Sequence, residues 1–347
     1  MNKFFLDQDF LDLNKWTKHK QNFYNNKKIL ILGYNGFLGK YITEYFNFIS
    51  QNNKIKVEID CVDNFKSSQK NSNFHKRFSK KFSFYNKDVY NFNSNKKYDV
   101  IFYLAGIASP KIYAQIPLET LEVSYNGTKK FLEKAKKDGS LFVFFSSSEI
   151  YGNPDKKFIP TPENYYGYVN SFGPRSCYDE GKRVAETLCY IYKNYQKVNL
   201  KILRPFNVFG PGMDVKDYRI MPNIIRNITN NTCIKIFGNG NQTRTFCYIS
   251  EAIASIILIV ATKSDETIFN IGNSKDEISI KNLVKKFENI LNKKIKYKFS
   301  KYTKSYPGDE PQRRCPDLSR FYKATKFKSK ISLDSAIKKN LEFFKII

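Results

Sequence analysis

Lys28-Ile29-Leu30-Ile31-Leu32-Gly33-Tyr34-Asn35-Gly36-Phe37-Leu38-Gly39 is the stretch on which the reading of this chain turns. A short apolar run, bounded like a buried strand, breaks into a glycine-spaced turn. Leu38, Tyr41, Ile42, Tyr45 and Phe46 then recur at helical spacing. Strand, glycine turn and helix in that order let backbone amides and a helix N-terminus approach a pyrophosphate. Gly33, Asn35, Gly36, Phe37, Leu38 and Gly39 are therefore candidate contacts of a dinucleotide.

Working outward, a second strand over 56–62 ends at Asp63-Asn64. A carboxylate there can bond both ribose hydroxyls of NAD and would repel the extra phosphate of NADP, although an Asp capping a turn would look the same. The next short element ends at Asp88-Val89, where contact with adenine is expected. The run 100–106 reads as a strand closing over the cofactor, with Leu104 and Ala105 near its end. A helix over 117–137 and strands over 141–145 and 199–203 continue the alternation. The pattern predicts an α/β fold, a Rossmann-like doubly wound parallel sheet. Past residue 205 the alternation weakens into turn-rich pieces, Gly238-Asn239-Gly240-Asn241 and Pro307-Gly308-Asp309-Glu310-Pro311, which predict a smaller C-terminal substrate-binding lobe. The expected division is an accessory segment 1–27, an NAD-binding domain 28–205 joined by part of 240–270, and 206–347 forming mainly the second lobe. In the accessory segment Phe4, Phe5, Phe10, Leu11, Leu13 and Trp16 suggest a short amphipathic helix packed on the body or on a partner subunit.

Chemistry concentrates in Ser176-Cys177-Tyr178-Asp179-Glu180-Gly181-Lys182-Arg183-Val184-Ala185-Glu186. On a helix, Tyr178 and Lys182 share one face, a turn apart. A nearby ammonium favours the phenolate, so Tyr178 could act as a base. Taken alone the pair also fits an ordinary helix with an exposed lysine.

Composition narrows the classes. The formal net charge of +27 invites a polyanion partner, but Lys and Arg are spread along the chain instead of forming one basic arm. A polyphosphate-bearing small molecule fits better than a specific nucleic acid. Six cysteines without a C-x-x-C pair, with only His19 and His75 beside them, argue against a metal site and suit a reducing cytoplasm. No apolar run reaches membrane-spanning length, and Asp7, Asp9 and Asp12 break the start, so it does not read as a signal peptide.

Over residues 28–345 the chain resembles the extended short-chain dehydrogenase/reductase family of sugar-nucleotide epimerases, dehydratases and decarboxylases. The likeness is strongest to the branch that turns UDP-glucuronate into UDP-xylose. It is carried by Leu104-Ala105 to Ser109-Pro110, Ser147-Ser148-Glu149-Ile150-Tyr151-Gly152, Gly173-Pro174-Arg175 to Arg183, Gln242-Thr243-Arg244-Thr245-Phe246 and Gln312-Arg313-Arg314-Cys315-Pro316-Asp317. The resemblance implies NAD as cofactor, Tyr178 as base at the sugar C4 hydroxyl, and Lys182 holding the nicotinamide ribose and lowering the tyrosine pKa. It also implies that Ser147 bonds the C4 oxygen, that Asn207 and Arg244 hold the nucleotide sugar and its diphosphate, and that Arg314 serves the substrate carboxylate or C5 protonation. Ser109, Tyr113 and, packing on the nucleotide, Tyr248 complete the implied substrate contacts. The Arg313-Arg314 pair could otherwise be a solvated loop. The family further implies a homodimer pairing the helices around 117–137 and 175–195.

Ser148-Glu149 decides the subclass. The 4,6-dehydratases have Asp-Glu there, because a leaving hydroxyl needs a carboxylic acid, and serine is a far weaker one. Simple 4-epimerases usually lack the glutamate. Dehydratase and 4-epimerase remain the alternatives, since Ser124 and the wall Ala105-Gly106-Ile107-Ala108 depart from the decarboxylase pattern.

Overall fold

The strands β4 (Val100–Tyr103) and β5 (Leu141–Phe145) are buried at every position, as strands covered on both faces must be. They lie at the centre of a seven-stranded sheet with β1 (Lys27–Leu32), β2 (Val57–Asp63), β3 (Phe82–Asn86), β6 (Leu200–Pro205) and the strand Ile268–Ile271. This computed structural model describes residues 4–67, 72–302 and 310–347, with backbone only at 72 and 73. The spatial order is β3-β2-β1-β4-β5-β6 with Ile268–Ile271 outermost, and each adjacent pair is parallel. The expected α/β doubly wound sheet is therefore present, and its order reverses between β1 and β4, the crevice where such sheets take ligands.

Side chains alternate between two cores. Ile29, Ile31, Phe102, Val143 and Phe145 face helix α2 (Phe37–Asn52) and the wholly buried helix Ile249–Val260. Leu30, Leu32, Ile101, Tyr103, Phe142 and Phe144 face the helices Thr128–Asp138 and Ser176–Asn194. The chain returns from the C-terminal lobe through Ile249–Val260 to add Ile268–Ile271 beside β6.

Two boundaries differ from the sequence reading. The fourth strand stops at Tyr103 instead of 106: the Leu104 amide makes one last bond to the Leu32 carbonyl, at 2.9 Å, and the chain then crosses the glycine turn. The helix expected over 117–137 is divided into Pro117–Glu122, a wide turn Val123–Gly127 and Thr128–Asp138. The cause is the Tyr103 hydroxyl, which donates to the Val123 carbonyl at 2.7 Å and takes the space a Cβ on Gly127 would need. A side chain inserted into a helical ladder widens it locally.

Helix α1 (Asp7–Thr17) lies against Ile249–Val260, burying Phe10 and Leu13 and leaving Leu11 exposed. Asp9 is fully buried there, accepting the Tyr248 hydroxyl at 3.0 Å and facing the Lys339 ammonium at 3.2 Å. Burial lifts its carboxyl to about 6, against the opposing charge of Lys339. Of the expected late loop, residues 307–309 lie outside the described residues, as do residues 68–71 after β2.

Candidate active site

A cavity of about 660 Å³ opens at the carboxyl ends of the strands, between the sheet and the C-terminal lobe. Gly33, Asn35, Gly36, Phe37, Leu38 and Gly39 line one end of it. Gly33 has φ +84°, and a Cβ there would sit 2.7 Å from the Ala105 amide nitrogen. A Cβ on Gly39 would collide with the Gly33 carbonyl and the Tyr34 backbone. This close-packed turn delivers the first-turn amides of α2 to the cavity, and a pyrophosphate fits such a cradle.

The acids expected around the adenosine stand behind this wall. Asp63, 8% exposed, accepts the amides of Asn35 at 3.1 Å and Phe65 at 2.8 Å. Burial raises its pKa and those hydrogen bonds oppose the rise. Asn64 donates to Asp88 at 2.8 Å, tying two loops together. Asp63, Asn64, Asp88, Val89 and Ala105 are not among the cavity-lining residues, whereas Leu104 and Gly106 are.

Ser176–Asn194 is a helix, and Tyr178 and Lys182 are both buried on its inner face. Lys182 donates to the Phe145 carbonyl at 2.8 Å and lies 5.0 Å from the centre of the Phe144 ring. Burial pulls its ammonium down to about 8, with Glu186 opposing. Gly106 leaves room for it, since a Cβ there would lie 3.2 Å from the nitrogen. Tyr178 departs from expectation: burial pushes its phenol up to about 12, although the neighbouring Ser147 hydroxyl opposes the rise. The Lys182 nitrogen lies 5.9 Å from the Tyr178 ring centre and is committed to a backbone carbonyl, so it does not depress the phenol in this arrangement. Tyr113 stacks on Tyr178 with ring centres 5.6 Å apart, and its buried hydroxyl has no hydrogen-bond partner among the described residues.

β5 hands Ser147, Ser148 and Glu149 to the cavity floor, where Ser147 Oγ accepts the Glu149 amide at 3.2 Å. Arg314 grips the Glu149 carboxylate through both terminal nitrogens, and Arg175 bonds the same carboxylate from the other side. Burial alone would raise the Glu149 carboxyl, but the charges of Arg314 and Arg175 outweigh it and hold it at about 2. Asp179 sits 3.4 Å from Arg175 Nε; burial and the Glu149 charge push its carboxyl up to about 7.

Strand register explains the arginines of the lobe. Thr243–Arg244 and Arg313–Arg314 pair in parallel, with Arg314 opposite Arg244 and Arg313 opposite Thr243. Alternation sends Arg244 and Arg314 into the cavity, while Arg313 and Thr243 turn to Glu277. Arg313 is thus a structural ion pair. Ser109 and Asn207 also line the cavity, with Asn207 Nδ2 donating to the Thr245 carbonyl at 3.0 Å. Tyr248 does not line it: the hydroxyl is drawn to Asp9, and the ring is buried under α1. Arg175 and Arg219, which also face the cavity, received no role from the sequence. Arg175 lay inside the quoted Gly173-Pro174-Arg175 motif, three residues before Tyr178. Arg219, ion-paired with Asp217 at 2.7 Å, carries no local pattern. Among the described residues no group of three His, Cys, Asp or Glu side chains could hold a metal ion, and no helix is long and apolar enough to cross a membrane.

Comparison with known proteins agrees with this geometry. The model of the NAD dependent epimerase/dehydratase family matches residues 29–272. UDP-glucuronic acid decarboxylase 1 of Xenopus tropicalis is 32% identical over 321 residues, 92% of this chain and 73% of that protein. UDP-glucuronic acid decarboxylase 3 of Arabidopsis thaliana is 33% identical over 322 residues, 92% of this chain and 90% of that protein. Among solved structures, UDP-glucuronic acid 4-epimerase from Bacillus cereus, in complex with UDP-glucuronic acid and NAD, superposes with a TM-score of 0.76. It is 24% identical, covering 92% of this chain and 99% of that one, and so shares the fold.

Proposed function

The chain belongs to the NAD dependent epimerase/dehydratase family, and from that premise we propose that it converts UDP-glucuronate to UDP-xylose, oxidising C4, releasing carbon dioxide and reducing C4 again. NAD, when bound, supplies the hydride acceptor and then the donor. The cradle of Gly33, Gly36 and Gly39 would hold it by its pyrophosphate, with Asp63 bracing the turn. Tyr178 takes the proton of the C4 hydroxyl and Ser147 bonds the same oxygen, an arrangement supported by both side chains lining the cavity, where the Ser147 hydroxyl favours the ionised phenol. Lys182, buried beside Tyr178, positions the nicotinamide ribose.

The observation that carries the subclass is the floor of the cavity. Glu149 is kept ionised between two arginines, and position 148 is a serine. No carboxylic acid is therefore offered there for a departing C6 hydroxyl. A 4-keto uronate needs no such acid, because its carbon dioxide leaves electrons in the adjoining ketone. Arg314, beside the C5 face in this reading, adds positive charge near the substrate carboxylate while its terminal nitrogens hold Glu149.

The assembly we propose is a homodimer. Leu118, Leu121 and Tyr125 on one helical segment, and Tyr190, Ile191 and Tyr195 on and just past the helix Ser176–Asn194, are exposed apolar side chains on the two helices such a pairing would use. The six cysteines are free thiols, which suits the cytoplasm. The functional test offers UDP-glucuronate, UDP-glucose and dTDP-glucose separately and follows product mass. Carbon dioxide and a pentose product from the uronate support the proposal. A 4-keto-6-deoxy product from a neutral hexose, or a uronate of unchanged mass with inverted C4, would replace it with the dehydratase or epimerase.

A further inference from the structure

Resting on the nucleotide-sugar reading above, we infer that Glu310 is an internal rival of the substrate diphosphate: its carboxylate occupies Arg244 until a nucleoside diphosphate displaces it, and this competition sets the affinity of the site. Arg244 is 3% exposed and lines the cavity together with Glu310. One side of its guanidinium is fixed, since Nη1 donates to the carbonyls of Thr243 at 2.8 Å and Gln312 at 3.3 Å. The other side is not. Nη2 is buried and lies 3.0 Å from Glu310 Oε1, yet makes no aligned hydrogen bond among the described residues.

Glu310 therefore supplies opposite charge without satisfying the donor, and an unsatisfied buried donor is costly. A phosphate oxygen brings both charge and a freely oriented acceptor, which suits a guanidinium better. Arg314, one position across the strand pair, shows the contrast: it is bound through two nitrogens to Glu149. Exposure does not separate the two carboxylates, at 17% for Glu310 and 16% for Glu149; what separates them is bonding, since Glu149 is held by Arg175 and by both terminal nitrogens of Arg314, whereas Glu310 faces Arg244 without an aligned hydrogen bond from it. Of the two paired arginines, Arg244 is thus the one whose carboxylate partner can be exchanged for an incoming phosphate.

The experiment is a calorimetric titration of UDP and of uridine into the wild type, Glu310→Gln, Arg244→Gln and the double variant. Glu310→Gln keeps the side-chain shape and removes the rival charge. UDP affinity should rise about 10-fold, the equivalent of one charge-assisted hydrogen bond no longer contested. Uridine, which has no phosphate, should bind as before. In the Arg244→Gln background the change at 310 should do nothing, as expected when the two act on one contact. A Glu310→Gln protein that binds UDP no better than wild type, or that shifts uridine equally, overturns the inference. Unchanged UDP affinity in Arg244→Gln overturns the diphosphate role of Arg244 itself, and with it the inference. Glu310→Ala provides the second variant and should move UDP affinity in the same direction.

Discussion

Glu149→Gln removes the one charge that two buried guanidiniums share, while keeping the side chain's shape. Burial opposes ionisation of Glu149, but Arg314 and Arg175 override it and hold the carboxyl at about 2, against an ordinary 4.5. A carboxylate whose pKa falls on folding adds stability above its unfolded pKa and loses it as the pH drops toward the folded one. The gap corresponds to about 3 kcal/mol at neutral pH. Breaking a buried ion pair on one side costs about 3–5 kcal/mol, which agrees. With an unfolding entropy of about 2.1 cal/mol/K per residue, the melting temperature of this 347-residue chain should fall by about 4 °C. The loss should be constant between about pH 7 and pH 5 and shrink below about pH 4.5. Differential scanning fluorimetry across that range measures it. The two arginines should then seek another anion, so UDP-glucuronate should raise the variant's melting temperature more than UDP-glucose does. An unchanged melting temperature at neutral pH, or a difference that grows on acidification, would refute the reasoning.

Three further outcomes are expected. Tyr178→Phe should bind NAD and substrate but lose turnover by about 10²–10⁴-fold, the range of a positioned base; turnover within a few-fold of wild type removes Tyr178 from the mechanism. Lys182, pulled down to about 8 by burial, destabilises the fold below about pH 8, and the penalty fades as the pH rises toward its ordinary 10.5. The gap corresponds to about 3 kcal/mol and the lost hydrogen bond to the Phe145 carbonyl takes back about 1, so Lys182→Met should be inactive yet about 2 kcal/mol more stable in urea near pH 7, with the gain gone near pH 10.5. NAD should bind the apoprotein much more tightly than NADP if the Asp63 carboxylate, which holds the Asn35 amide of the glycine turn, meets the adenosine ribose and repels a 2′-phosphate there; equal affinities in a direct titration would refute that role.

The sheet was legible because its evidence is local. β1, the glycine turn and α2 are consecutive, and an unbroken apolar run such as 141–145 has few other uses. Tyr178 and Lys182 were legible for the same reason, four residues apart on one helix. What escaped depended on contacts distant in sequence. Nothing near Tyr248 reveals that Asp9, 239 residues away, claims its hydroxyl. Nothing in Arg313-Arg314 alone says which side chain faces the cavity; the pairing with Thr243–Arg244 decides it. The widened turn at Val123–Gly127 comes from a tyrosine one strand away. The burial that pushes the Tyr178 phenol up also lies beyond local spacing, which gives only the distance to a lysine.

The most direct test of the central claim is the fate of the substrate carboxyl carbon. UDP-glucuronate carrying an isotopic label at C6, incubated with the NAD-loaded protein, should release labelled carbon dioxide in step with the appearance of UDP-xylose. Label retained in a uronate inverted at C4 would contradict the account.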